Sequence, residues 1–339
     1  MAGPSPAVAQ VRSAVRPGLV AAEQPVLVAC SGGADSLALA AAVAFEAPRA
    51  GVPAGAVTVD HGLQPGSADR AERTATLLRG MGLAPVLVTR VDVRGAGGPE
   101  AAARAARYAA LAAAADEHGA RVALGHTLDD QAETVLLGLG RGSGPRSVAG
   151  MVEQRVDGGT TWWRPLLQVR RTTTRAACAA QELPVWDDPW NDDPAYTRVR
   201  LRTEVLPLLE DVLGGGVAPA LARTAALLRA DLDALDDLAG THLARLADEE
   251  GLPAVDVAAL PVALRTRVLR GWLRAGGVPD LQAVHLTAVD ALLVRWSGQG
   301  RVDLPGGAGV VRTSGRLVLQ GPAPRAARAH DTSAEFEEP

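Results

Sequence analysis

The sequence predicts an α/β fold: a parallel sheet with helices on both faces, followed by a smaller, mainly helical domain ending in short strands. Three observations predict it. Apolar, strand-like runs alternate with helical stretches of about 10 to 20 residues, the signature of parallel strands joined by helical crossovers. The first such run, Val26-Leu27-Val28-Ala29, passes through a Gly-Gly turn directly into an alanine-rich helical stretch. Beyond Gly214-Gly215-Gly216 the alternation stops and amphipathic helix takes over.

In chain order, residues 1–24 are a Pro-rich tail and a short helix over Ala7–Val20. Residues 25–215 form the α/β domain. After the first strand and its helix, Leu37–Phe45, come strands over Val52–Asp60, Pro85–Val91 and Arg121–Gly125. Helices over Ser67–Arg79, Pro99–His118 and Leu128–Leu139 separate and follow them. Residues 216–322 form the second domain, with an acidic helix over Ala218–Leu246 and helices over Leu264–Ala275 and Leu281–Trp296. Short strands follow over Gly300–Leu304, Gly309–Arg312 and Arg316–Gln320, the last two joined by a Ser314-Gly315 turn. Residues 323–339 are poor in apolar side chains and are expected to be disordered.

Composition narrows the class. At 339 residues the chain is long for one core, so two domains are expected. No run approaches the roughly 18 apolar residues of a membrane span, and no charged segment leads an apolar core as in a secretory signal. Cys30 and Cys178 supply neither a disulfide framework nor a zinc set. The expectation is a cytoplasmic protein with no membrane partner. All 34 basic residues are arginine, so any phosphate contact must be a guanidinium fork. The net charge of −4 argues against indiscriminate nucleic-acid binding and leaves room for a local basic face.

The chemistry concentrates at strand ends. In Ser31-Gly32-Gly33-Ala34-Asp35-Ser36 the glycines remove the Cβ atoms that would keep a phosphate from the amides of a helix N-terminus, and the two serines add hydroxyl donors. Asp35 would repel that phosphate unless a divalent cation bridges the two, which makes it a magnesium ligand. A second polar cluster is His126-Thr127-Leu128-Asp129-Asp130-Gln131-Ala132-Glu133-Thr134. Thr127 is its N-cap, and Asp130 and Glu133 stand i, i+3 on one face, an acidic pair able to hold an ammonium group or a metal. Residues 30–36, 60–64 and 126–133 all fall at the carboxyl edge of the sheet, where such folds bind ligands.

The hexapeptide lacks the lysine of the common P-loop and resembles the Ser-Gly-Gly-x-Asp-Ser signature of the PP-loop ATP pyrophosphatases. Further motifs follow in register: Val59–Gln64, Glu100–Tyr108, His126–Thr134, Arg164–Leu167, and Trp186–Asp192 running on to Arg198–Arg202. Together they resemble the tRNA(Ile)-lysidine synthetase family of that superfamily. The resemblance implies a Rossmann-like PP-loop nucleotide-binding domain with ATP and Mg²⁺ as cofactors. The substrates it implies are free L-lysine and the isoleucine tRNA with a CAU anticodon. In that chemistry ATP adenylates the C2 oxygen of the wobble cytidine, and the lysine ε-amine then displaces AMP to form lysidine.

Carried over residue by residue, the resemblance has Ser31, Gly32, Gly33, Ala34 and Ser36 holding phosphate and Asp35 the metal. Asp60 and His61 lie at the adenosine edge, and His126 beside the reacting phosphate. Arg107 stabilises phosphoryl or cytosine-oxygen charge, and Asp130 and Glu133 take the lysine ammonium groups.

Residues 141–175 hold seven arginines against Glu153 and Asp157, with Trp162-Trp163 supplying flat rings. This combination suits a splayed anticodon loop. Arg141, Arg146, Arg170 and Arg171 are its candidate tRNA contacts, joined by Arg198, Arg200 and Arg202 on the phosphodiester backbone. Arg265, Arg267, Arg270 and Arg274 give the second domain a basic helix face, a further candidate. The absence of a cysteine pair or a zinc set argues against thiolating and deazaguanine-forming relatives of the superfamily. Monomer and homodimer both remain open.

Overall fold

In a computed structural model, described over residues 3–62, 64–93, 99–142 and 144–321, the chain divides into two compact units, 1–229 and 230–339. The tail 323–339 lies outside the described residues, as do Leu63, Ser143 and the side chains of Glu100, Asn191 and Asp192. The first unit runs α1 (Pro6–Val20), β1 (Val26–Ala29), α2 (Ala34–Ala50), β2 (Ala54–Asp60), α3 (Ser67–Gly80), β3 (Val86–Arg90), α4 (Pro99–Glu117), β4 (Arg121–Ala123) and α5 (Leu128–Gly140). It continues with α6 (Pro145–Val148), β5 (Gln154–Asp157), β6 (Thr160–Trp163), α7 (Arg171–Ala179), α8 (Thr197–Arg200), a π-helical turn over Leu201–Val205 and α9 (Leu206–Val212). The division between units falls within α10 (Val217–Leu246), not at the glycine triplet 214–216.

Six strands form one sheet in the order β3-β2-β1-β4-β6-β5, parallel except for the edge strand β5. Successive strands run outward from β1 one way to β3 and the other way from β4. The crevice beyond the carboxyl ends of β1 and β4 is therefore the topological switch point. Alternation along each strand distributes the core. Val26 and Val28 face a layer containing α1, α2 and α7, whereas Leu27, Val57 and Val122 face α4. Each such side chain, fully buried, is worth about 1.5–3 kcal/mol.

Two expectations need correction here. Helix α1, read as lying outside the nucleotide domain, contributes Val8, Val11, Val15 and Leu19 to its main core. Trp162 and Trp163, read as faces for RNA bases, are 5% and 1% exposed and pack into the two opposite layers from strand β6. Burial on both faces of a central strand leaves neither ring available for stacking. The hairpin that carries them was legible in Asp157-Gly158-Gly159-Thr160, whose glycines have φ of +57° and +84°, as a two-residue hairpin turn needs.

The second unit holds β7 (Leu252–Pro253), α11 (Ala254–Ala258), α12 (Val262–Ala275), α13 (Ala283–Val294), β8 (Val302–Asp303), β9 (Gly309–Thr313) and β10 (Arg316–Gln320). Its four strands form an antiparallel sheet in the order β7-β10-β9-β8 around a core including Leu252, Leu269, Val289 and Leu317. The basic face expected on α12 is mostly turned inward. Arg265 forks onto Asp290 (2.6 Å), Arg267 binds Asp236 (2.9 Å), and Arg270 donates to the Leu281 carbonyl (3.4 Å). Arg274 alone of the four is exposed.

A tight contact fixes α1 to the sheet. A Cβ at Gly18 would fall 2.5 Å from the Trp163 ring, whose other neighbour is the Arg121 guanidinium, 4.2 Å from the ring centroid. Arg121 in turn donates to the Gly18 carbonyl (2.6 Å). Gly18→Val is expected to destabilise the first unit by about 1–3 kcal/mol through overpacking, read as a lowered urea midpoint at an unchanged m-value.

Candidate active site

The loop between β1 and α2 is built as a phosphate cradle. Gly32 has φ +86° and its carbonyl accepts from the Trp186 N–H (3.0 Å). Gly33 is the N-cap of α2 with no side-chain cap, so first-turn amides of a 17-residue helix are left for an anion, with the helix dipole behind them. The serines divide their work. Ser36 Oγ accepts from the Ser31 N–H (3.2 Å) and donates to the Gly33 carbonyl (2.9 Å), stapling the loop, while Ser31 is exposed. Ser36 is thus committed to holding the loop's shape. Ala34, with its buried side chain, takes part through its backbone.

Strand β4 brings the second motif against this loop. A Cβ at Gly125 would stand 3.1 Å from the Asp35 carbonyl carbon and the Ser36 nitrogen. The one residue able to lie there without a side chain joins the two strand ends. Helix α5 then starts with a capping box. Thr127 Oγ1 accepts from the Asp130 N–H (3.4 Å), and the Asp130 carboxylate accepts from the Thr127 N–H (2.7 Å).

The carboxylates of both helices converge on one guanidinium. Arg171, the first residue of α7, donates from Nη2 to Asp130 (2.6 Å), from Nη1 to Glu133 (3.3 Å) and from Nε to Asp35 (3.4 Å). Its backbone N–H donates to Asp129 (2.7 Å), which Arg170 also clasps through Nε and Nη2. Glu133 is completely buried and is held additionally by Arg202 Nε (2.8 Å), with Arg198 4.0 Å away. Burial opposes the charge on Arg171, but Asp130, Glu133, Asp35 and Asp129 outweigh it and raise its pKa. Burial lifts the Asp130 carboxyl, yet Arg171 and the Thr127 hydrogen bonds bring it below the ordinary range. At Asp35 burial prevails: its pKa is raised although Thr174 and Arg171 both hydrogen-bond it.

The opposite side of the crevice is cationic. His126 is half-buried, with a buried Nδ1 that has no hydrogen-bond partner. Burial pushes its pKa down to about 3, against the pull of Asp130 and helped by Arg164, Arg107 and Arg104. His61 is lowered likewise, by burial and then by Arg107, and its Nδ1 is also unpartnered. The Arg107 charge thus disfavours protonation of both imidazoles; its own pKa is lowered by burial, and it stands 5.6 Å from the Tyr108 ring centroid. Asp60, at the end of β2, is buried and caps its own turn by accepting from the Gly62 N–H (2.9 Å). Burial lifts its pKa, but hydrogen bonds from Ser67 and Gly62 outweigh that and hold it low.

The arginines expected on RNA separate into two groups. Arg170, Arg171 and Arg202 are drawn into the acid cluster by ion pairs, and Arg198 borders it. Arg141 and Arg146 are exposed, and Arg200, also exposed, pairs with Glu204 (2.8 Å). Sequence reasoning missed several participants. Arg170, Arg171 and Arg202 were assigned to RNA, Thr174 gave no signal, and Arg164 was seen only as part of a motif. Arg164 is 8% exposed and donates to the Val152 carbonyl (3.2 Å).

Comparison with known proteins shows the family. Residues 6–209 match the PP-loop domain family and residues 252–318 the TilS substrate binding domain. The tRNA(Ile)-lysidine synthase of Streptomyces coelicolor is 54% identical across 94% of this chain and 99% of its own length. That of Thermobifida fusca is 54% identical over 94% and 99%, and that of Leifsonia xyli 56% over 90% and 92%. Among solved structures, the U34-tRNA thiolase NcsA of Methanococcus maripaludis shares the fold. It has a TM-score of 0.54 at 18% identity and covers 66% of this chain and 80% of that one. By sequence along nearly its whole length, and by its PP-loop domain, the chain belongs to the tRNA(Ile)-lysidine synthase family.

Proposed function

We propose that this protein uses ATP to join L-lysine to C2 of the wobble cytidine in the CAU anticodon of isoleucine tRNA. The observation that carries the reading is the meeting, at one strand-end crevice, of an uncapped helix N-terminus, a cationic wall and a carboxylate cluster. An ATP-dependent ligation of an amine needs those three environments side by side. In the first step the cytosine O2 attacks the α-phosphorus of ATP and pyrophosphate leaves. In the second the lysine ε-ammonium releases one proton to solvent, its amine adds at C2, and AMP departs with the oxygen.

The residues divide accordingly. First-turn amides of α2, with Gly32 and Gly33, hold the phosphate oxygens, and Asp60 and His61 border the adenosine. Asp35 suits Mg²⁺, which takes one or two carboxylates together with phosphate oxygens; the ion supplies charge neutralisation on the triphosphate. Among the described residues no set of three or more His, Cys, Asp or Glu side chains is arranged to hold a metal unaided. Arg107 opposes charge developing on the phosphoryl group. His126, neutral at physiological pH, offers a hydrogen bond there. Glu133, beside Asp130, receives the lysine ε-ammonium. Arg171 pairs with both carboxylates and offsets their charge beside the phosphate loop. Exposed Arg141, Arg146 and Arg200 are the arginines this reading assigns to tRNA phosphates.

Radiolabelled lysine should enter an isoleucine tRNA transcript with a CAU anticodon, dependent on ATP, and not a methionine tRNA control. No incorporation, or equal incorporation into both, would overturn the reading. Asp35→Asn should lower tRNA-dependent pyrophosphate release at least about a hundredfold; activity within a few-fold of the parent would remove the metal role. The histidine makes a separate prediction. Its pKa is about 3 in the folded protein and about 6.5 unfolded, so the unfolded chain binds the extra proton between those values. Stability should therefore be intact above about pH 6.5 and fall as the pH drops toward 3. His126→Gln should flatten that slope in urea titrations at pH 7.5, 6 and 5.

A further inference from the structure

A pocket of about 160 Å³ lies beside the acid cluster, walled by α9 and the start of α10. Its charged lining is Asp129, Glu133, Arg170, Arg171, Arg202 and Glu210, and its apolar lining Leu206, Pro207 and Ala218. Asp130 is not among the lining residues.

We propose that this pocket seats the substrate lysine, and that Glu210 is the specificity residue that recognises its α-ammonium group. The proposal rests on the ligation reading above and adds to it the binding direction and a residue outside the expected motifs. Glu133 takes the reacting ε-amine, because Arg171 links Glu133 directly to Asp35 and the phosphate loop. Leu206, Pro207 and Ala218 give the methylene chain the apolar surface that long cationic side chains cover. Beyond its side chain a free amino acid requires an acceptor for its α-ammonium and a donor for its α-carboxylate. Glu210 and Arg170 are that pair.

Glu210 is pre-set for this task. Its carboxylate accepts from the N–H groups of Val217 (3.0 Å) and Ala218 (3.1 Å) at the start of α10. Those bonds hold it ionised and fixed, and a carboxylate has about four acceptor positions, so room for an ammonium remains. Arg170 pairs with Asp129 through Nε and Nη2, which leaves donors of its five-donor fork for a carboxylate.

The test is lysine dependence at saturating ATP and tRNA in the parent and in Glu210→Gln, which retains an acceptor for the helix start. Lysine KM should rise about tenfold with kcat changed far less. The inhibition constant of 6-aminohexanoate, which keeps the distal ammonium and the carboxylate but lacks the α-ammonium, should be the same in both proteins. An unchanged lysine KM overturns the proposal. So does an equal rise in KM and in the inhibition constant, which would make Glu210 a helix cap alone. Failure of the parent protein to incorporate lysine at all would instead overturn the ligation reading, and the pocket assignment with it.

Discussion

The guanidinium of Arg171 is the contact on which the rest of the site depends. It bonds carboxylates from two helices that are distant in sequence, and does so from the first turn of a third. Without it, Asp35, Asp130 and the fully buried Glu133 would face one another as like charges in a poorly solvated crevice. Leaving a buried charge unpaired costs about 3–5 kcal/mol, enough to protonate an acid or open the cluster. Arg202 reinforces the pairing at Glu133, and Arg170 repeats it at Asp129. The fold thus stores negative charge at its active edge by supplying its own cations.

That storage makes the crevice polar from side to side. Carboxylates stand toward α7 and α9, and Arg107, Arg164 and two unprotonated imidazoles stand toward α4 and β6. A crevice divided in this way favours anions beside the amides and arginines and cations beside the acids. Helix dipoles reinforce the arrangement at Gly33, where the N-terminus of α2 carries no side-chain cap. Catalysis by such a site is mainly positioning and charge complementarity, with little demand on covalent chemistry from the protein.

Much of the first unit was legible in the sequence. Four parallel strands and their helices stand within a few residues of where periodicity put them, because β-strand and helix periods are local properties. The loop 31–36, Asp60 and the segment 126–133 were brought to one edge by topology alone. The arginines were less legible. Composition counted Arg170, Arg171 and Arg202 as a basic surface, yet each has an acidic partner 38 to 72 residues away in sequence; Arg171 also reaches Asp35. Charge in a linear window cannot report a partner outside that window. The tryptophans were misread for a related reason, since a polar-looking, glycine-marked hairpin completes the buried sheet.

By itself, then, the sequence determined the order of strands and helices, the phosphate loop and the family motifs, all encoded over a few neighbouring residues. Only tertiary structure decided which charges neutralise one another. It also decided that Gly18 and Gly125 must lack side chains, and that a pocket opens beneath α9 with Glu210 in its wall. Those outcomes depend on distances between segments far apart in the chain. Electrostatic and packing energies follow such distances through space, whatever the separation along the backbone.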